Sequence, residues 1–252
     1  MTAQALLEVR SLRKAFGGIV AVSDVSFDVA PGELVALIGP NGAGKTTCFN
    51  LINGQLAPDA GSIRLGGRSI AGLPAQRIAA LGVGRTFQTA AIFASMTVRE
   101  NVQLALIAHR GEQWQVTSRA NAAHGATADA LLARVGATAL AGSTCATLAY
   151  GDLKRVELAV ALAPSPRLLL MDEPTSGTAP ADRAQLMRLT ASLVRGDGMA
   201  ALFTEHDMDV VFAHADRVIV LDRGAIIAQG LPAAVRADPR ARAAYFGVDA
   251  DA

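Results

Sequence analysis

Three stretches of this chain have the residue types and order needed to handle a nucleoside triphosphate. The first, Gly39-Pro40-Asn41-Gly42-Ala43-Gly44-Lys45-Thr46-Thr47, matches G-x-x-x-x-G-K-S/T in full. Its glycines let the backbone curl so that successive N–H groups point into one concavity and hold phosphate oxygens. Lys45 would reach the β- and γ-phosphates, and the Thr46 hydroxyl would ligate Mg²⁺. The second stretch, Leu168-Leu169-Leu170-Met171-Asp172-Glu173, is an apolar run ending in two carboxylates. A carboxylate at that position can hold Mg²⁺, the role expected of Asp172. Glu173, one residue on, would face the attacking water as a general base. The third, Leu148-Ala149-Tyr150-Gly151-Asp152, lies between the other two and opens a helix-like run. Read singly, each has a bland alternative: a Gly-rich turn, a solvated acidic pair, a helix start. Their order along one chain argues against all three.

These residues need strands and helices to position them. Glu33 to Ile38 is a short branched apolar run of the kind that forms a buried strand, and it leads straight into the glycines. Cys48 to Ile52 reads as the start of a helix whose N-terminal dipole favours the anion. Residues 6–30 alternate like strands, Pro31-Gly32 and Pro58-Asp59-Ala60-Gly61 signal turns, and Ser62 to Leu65 is a short strand. Val98 to Ala108 and Thr127 to Val135 have helical periodicity, and Arg110 to Ala126 reads as an irregular connection. Strands resume at 168–172, 199–204, 217–222 and 225–229, and 239–247 reads as a short helix. The fold class expected is α/β, a P-loop NTPase core with an antiparallel β subdomain and an inserted helical subdomain. One domain spans 1–252, with the core at 1–88 and 165–252 and the helical subdomain at 89–164.

The chain resembles the nucleotide-binding subunit of an ABC transporter from about residue 6 to residue 247. Gly39 to Thr47 is similar to the first Walker motif and Leu168 to Glu173 to the second. Gln88, in Arg85-Thr86-Phe87-Gln88, resembles the glutamine that senses Mg²⁺ and the attacking water. His206, in Thr204-Glu205-His206-Asp207, resembles the switch histidine that contacts the γ-phosphate. Phe16, in Lys14-Ala15-Phe16-Gly17-Gly18, resembles the aromatic that stacks on adenine, and Val22 is expected to contact the nucleotide beside it. The resemblance implies ATP and Mg²⁺ as cofactors. It further implies a sandwich in which Ala149, Tyr150, Gly151 and Asp152 cap the nucleotide held by a second, homologous subunit.

Two departures stand out. Most ABC subunits read Leu-Ser-Gly-Gly-Gln where this chain reads Leu148-Ala149-Tyr150-Gly151-Asp152. Gly151 can still offer a backbone N–H from a helix N-terminus. The serine hydroxyl is gone, and a charge-assisted hydrogen bond of that kind is worth about 1.5–3 kcal/mol. After Glu173 the chain reads Pro174-Thr175-Ser176-Gly177-Thr178-Ala179-Pro180, with Ala179 where the family has an aspartate. Leu-Ala-Tyr-Gly, Glu205-His206-Asp207-Met208-Asp209 and the ending Tyr245-Phe246-Gly247 resemble the branched-chain, or hydrophobic, amino acid uptake group. That group implies a non-identical second ATPase subunit, two transmembrane permease subunits and a periplasmic or surface binding protein. It also implies a place on the cytoplasmic face of a bacterial inner membrane. Related alternatives are systems for urea, amides or small carboxylates, lipopolysaccharide export ATPases, and soluble ABC ATPases.

Composition narrows the classes. A net charge of +1 over 252 residues gives no sign of a nucleic-acid groove, so no nucleic-acid partner is expected. Two cysteines, Cys48 and Cys145, are too few for a metal cluster and read as reduced thiols. No run approaches the roughly 18 apolar residues of a membrane helix, and residues 1–10 have no signal-peptide pattern. No guanine-reading Asn-Lys-x-Asp loop is present, which sets a GTPase aside.

Overall fold

A computed structural model describes residues 5–86, 92–112 and 124–246. Strands β1 (Leu7–Phe16) and β2 (Ile19–Val29) form an antiparallel hairpin. Strand β3 (Leu34–Ile38) runs into helix α1 (Lys45–Ile52). Then come β4 (Ala60–Leu65), β5 (Arg68–Ser69), α2 (Ala75–Ala80) and β6 (Val83–Thr86). Helices α3 (Val98–Arg110), α4 (Gly125–Arg134) and α5 (Tyr150–Leu162) follow. The chain returns through β7 (Leu168–Asp172), α6 (Pro180–Asp197), β8 (Ala200–Thr204), α7 (Met208–His214), β9 (Arg217–Asp222) and β10 (Ala225–Gly230). It ends in α8 (Pro232–Ala237), α9 (Pro239–Ala241) and one π-helical stretch, Arg242–Phe246.

The strands form two sheets. One has four strands in the order β2-β1-β4-β5 and is antiparallel. The other has six in the order β10-β9-β3-β8-β7-β6, parallel except where β10 folds back on β9. Strands β3, β7 and β8 are buried at every position, and apolar but for Asp172 and Thr204 at their ends, because both faces of the sheet are covered. The strand period of two sorts their side chains between two cores. Val35, Leu37, Leu168, Leu170, Leu202, Ile219 and Leu221 pack with Cys48, Phe49 and Ile52 of α1 and with the four-stranded sheet. Leu34, Ala36, Ile38, Leu169, Met171, Phe203, Val218 and Val220 face the other way, toward α3 to α7. The α/β class with an antiparallel sheet, as expected, is therefore present.

Local differences from the sequence reading have physical causes. Helix α1 begins at Lys45 rather than Cys48, directly after Gly44 in the left-handed region at φ +104°. That places the N–H groups of Lys45 and Thr46 in the helix's first turn. Helix α3 runs on to Arg110 and stops at Gly111, whose positive φ closes it. Helix α4 starts at Gly125, inside the stretch expected to be irregular, of which 113–123 lie outside the described residues. Helix α6 is an element beyond those expected, bounded by the standard signals of Pro180 at its first turn and Gly198 at its C-cap. Its polar outer face masks the apolar stripe of Leu186, Met187, Ala191 and Val194.

Candidate nucleotide-binding site

The phosphate loop lies between β3 and α1 and is held from outside by two other segments. Gly39 has φ +153°, and a Cβ there would sit 2.1 Å from the Leu221 carbonyl oxygen. At Gly44 a Cβ would sit 2.4 Å from the Ala21 carbonyl oxygen. The Gly224 N–H donates to the Ala43 carbonyl at 3.0 Å, and the Ser23 N–H to the Gly224 carbonyl at 2.8 Å. The turn between β9 and β10 and the first residues of β2 thus wall the loop. Only glycine fits that space.

Residues 41–47, Ala21, Asp172, Glu173 and His206 line one cavity of about 210 Å³. The Lys45 ammonium donates to the Gly39 and Pro40 carbonyls at 2.6 and 3.1 Å, which fixes it across the loop. Burial pulls its pKa below the ordinary lysine value, opposed by the negative charges of Glu173 and Asp172. Gly39 and Pro40 do not line the cavity; they serve it through those carbonyls. Val22 does not line it either and is fully buried. This corrects the expectation for Val22: strand alternation sends its side chain into the core, and Ala21 reaches the cavity instead.

The carboxylates come from the end of β7. Asp172 accepts from the Thr204 hydroxyl at 2.8 Å, and its other oxygen lies 3.4 Å from the Arg85 guanidinium. Arg85 also donates to Asn50 and Gln55, each at 2.8 Å, tying the end of α1 to β7. Burial lowers the Arg85 pKa from the ordinary arginine value, against the opposing pull of Asp172. Glu173 is held at φ +50°, a left-handed conformation that costs a non-glycine residue about 1–2 kcal/mol. Its N–H reaches the Thr204 carbonyl and hydroxyl at 3.2 and 3.1 Å, which offsets that strain. His206 Nε2 lies 2.9 Å from the Glu173 carboxylate. Glu205, which the sequence reading did not single out, is buried behind it. Its carboxylate accepts from the Thr175 N–H and hydroxyl at 2.9 and 2.7 Å, locking the segment after Glu173 to the one bearing His206. No sequence pattern marks it, since Thr175 reaches it only through the fold.

Thr46 and Asp172 present one hydroxyl and one carboxylate to the same cavity. Among the described residues no cluster of three His, Cys, Asp or Glu side chains could hold a metal alone. That donor set fits Mg²⁺, which takes few protein ligands and completes its shell with water and substrate phosphates. Phe16 is 46% exposed at the end of β1, with the Lys14 ammonium 5.6 Å from its ring centre, so a face remains for stacking. Gln88 lies outside the described residues.

Residues 148–152 line no part of this cavity. Ala149 is the N-cap of α5, with no side-chain hydrogen bond there, and Gly151 is in the first turn. Tyr150 is exposed and packs over Gly177, where a Cβ would lie 2.9 Å from its ring. A Cβ on Gly151 would lie 3.0 Å from the Asp182 carboxylate of α6. Arg155 reaches Asp152 and Gln185 at 3.8 and 2.9 Å. The segment is thus seated on α6 and the stretch containing Ala179, itself the N-cap of α6.

The ABC transporter family model matches residues 22–176, and that of the branched-chain amino acid ATP-binding cassette transporter matches 225–251. The high-affinity branched-chain amino acid transport ATP-binding protein LivG of Salmonella typhimurium is 39% identical, over 97% of this chain and 98% of its own. The corresponding BraF of Pseudomonas aeruginosa is 38% identical, over 96% and 98%. A crystal structure of the ADP conformation of an ATP-binding cassette of an ABC transporter superposes with a TM-score of 0.88 at 29% identity, covering 97% of this chain and all of that one. The chain therefore belongs to the ABC transporter ATPases, the nucleotide-binding subunits that hydrolyse ATP for transport.

Proposed function

We propose that this chain powers a bacterial importer of branched-chain or other hydrophobic amino acids. The observation that carries the mechanism is the cavity itself: Lys45, Thr46, Asp172, Glu173 and His206 converge on it, while residues 148–152 of the same chain do not. One subunit supplies the phosphate cradle, and the capping segment of a second closes it. The loop N–H groups and Lys45 hold the phosphates of ATP. Thr46 and Asp172 hold Mg²⁺, which when bound neutralises phosphate charge. Glu173 accepts the proton of the attacking water. His206, at 2.9 Å, orients the Glu173 carboxylate and contacts the γ-phosphate. Phe16 stacks on the base.

The names of the LivG and BraF relatives support the amino acid class. So does the match of the branched-chain family model at the C-terminal end. No described helix is long and apolar enough to cross a membrane, so the conducting path belongs to two permease subunits. The chain works against their cytoplasmic side, beside a non-identical second ATPase subunit and an external binding protein. Within it, 89–164 acts as the helical subdomain that carries the capping segment.

The test is turnover and uptake by the assembled transporter in proteoliposomes. Glu173→Gln should cut ATP hydrolysis by about a hundredfold or more while ATP binding persists, the scale of a lost general base. Leucine uptake should fall with it. Unchanged hydrolysis removes the base assignment, and uptake of a different solute class removes the amino acid reading.

A further inference from the structure

Beneath the capping segment lies a small cavity, separate from the phosphate site. It measures about 10 Å³ and is lined by Thr86, Lys154, Glu157, Leu158, Met171 and Pro174, with Leu186 and Thr190 of α6. Four elements meet there: the end of β6, the middle of α5, the end of β7 with the residue after Glu173, and α6. Its volume matches one water molecule, which needs about 10–15 Å³ and two to four polar partners.

The partners are present. Thr86, Lys154 and Glu157 are all more than nine-tenths buried. Glu157 Oε2 pairs with the Lys154 ammonium at 3.0 Å. Glu157 Oε1 and Thr86 Oγ1 make no hydrogen bond to any described protein atom. Two such groups left dry would each cost about 1–3 kcal/mol. Thr190 donates its hydroxyl proton to the Leu186 carbonyl at 2.9 Å, and its oxygen keeps acceptor capacity. Lys154 also lies 5.3 Å from the ring centre of Tyr150. A polar chain therefore runs from the exposed capping segment through Lys154 to Glu157, and Thr86, the last residue of β6, lines the same cavity.

We propose that one buried water bridges Glu157 Oε1 and Thr86 Oγ1, and that Thr86 and Glu157 are positioning residues which fix the capping segment relative to the strands bearing the catalytic carboxylates. The inference rests on the nucleotide-hydrolysing reading above. It goes further by assigning work to side chains that line no part of the phosphate cavity. A merely structural pair would govern stability alone. A positioning pair governs turnover, because α5 delivers the cap and β7 delivers Asp172 and Glu173 from opposite sides of this water.

Two measurements test it, on the isolated chain and on the assembled transporter. A crystal structure that resolves solvent should show one water within hydrogen-bond distance of both oxygens; a dry cavity overturns the proposal. Thr86→Val keeps the shape and removes the hydroxyl, and Thr86→Ser keeps the hydroxyl. Thr86→Val should lower kcat about fivefold, the scale of one lost water-bridged hydrogen bond, with KM for ATP within about twofold. Thr86→Ser should restore kcat. Unchanged kcat in Thr86→Val, or equal loss in both variants, overturns the positioning role. Wild-type chain that failed to bind ATP at all would instead strike the functional reading, so the two failures are distinct.

Discussion

Gly42 and Gly44 are two glycines of one loop, yet their surroundings differ. Gly44 has the Ala21 carbonyl 2.4 Å from where a Cβ would stand, whereas nothing lies within 4 Å of that point at Gly42. Gly44→Ala should therefore displace the loop from its wall and lower ATP affinity more than about tenfold, the effect of roughly 1.4 kcal/mol or more. Gly42→Ala should cost only the left-handed backbone penalty, about 1–2 kcal/mol of stability. Isothermal titration and urea melts of both variants check this, and equal losses would refute the bracing by Ala21. The motif named the glycines from sequence but not their neighbours, because Ala21 and Leu221 are remote in the chain and carry no chemistry of their own. Val22 shows the same limit: strand parity decides which of two adjacent residues meets the cavity, and parity is set by pairing with β1. Asp172 and Glu173 were legible because an apolar run ending in two acids has few other uses. Glu205 was not, since its role depends on the approach of Thr175 from a distant turn.

Elements were legible where pattern and boundary agreed. Helix α3 is such a case. Its apolar period was evident, and its start is a full capping box. The Glu100 N–H donates to the Thr97 hydroxyl at 3.2 Å, and the Glu100 carboxylate accepts from the Thr97 N–H at 2.7 Å. Thr97→Ala should lower stability by about 1 kcal/mol, read as a shift in urea midpoint, and leave ATP affinity intact. No shift would mean that packing alone holds the helix end. That end matters because Asn101, one turn on, hydrogen-bonds the Phe93 backbone and lies 3.3 Å from the buried Cys145 thiol, just before the capping segment. Helix α6 was hidden by its polar face, and α2 by its shortness, with only Ile78 buried. Burial also pushes the Cys48 thiol up to about 12, in keeping with an inert, reduced cysteine in α1.

At the scale of the whole molecule, composition and motif order gave the class, while the pairing of two sheets around α1 needed the structure. Residues 148–152 stand apart from this chain's own phosphate cavity, which is the observation behind the proposed closure by a second subunit. The isolated chain should hydrolyse ATP slowly, with activity per subunit rising when the partner ATPase is added. Steady-state assays beside sedimentation analysis check this, and fast turnover by a demonstrated monomer contradicts the sandwich. Ala149 and Ala179 remove from this chain the hydroxyl and the carboxylate that most family members carry at those positions.

The walls of the phosphate loop have a temporal meaning as well. The loop itself is made early in synthesis, yet Asp172, His206, Leu221 and Gly224 all come from the last third of the chain. Contacts so distant in sequence close late. On the ribosome, a chain that has exposed residues 39–47 has a glycine-rich ribbon but no cradle. Competence to hold nucleotide arrives only after the β9–β10 turn has emerged and docked, so an unfinished subunit cannot sequester or spend ATP.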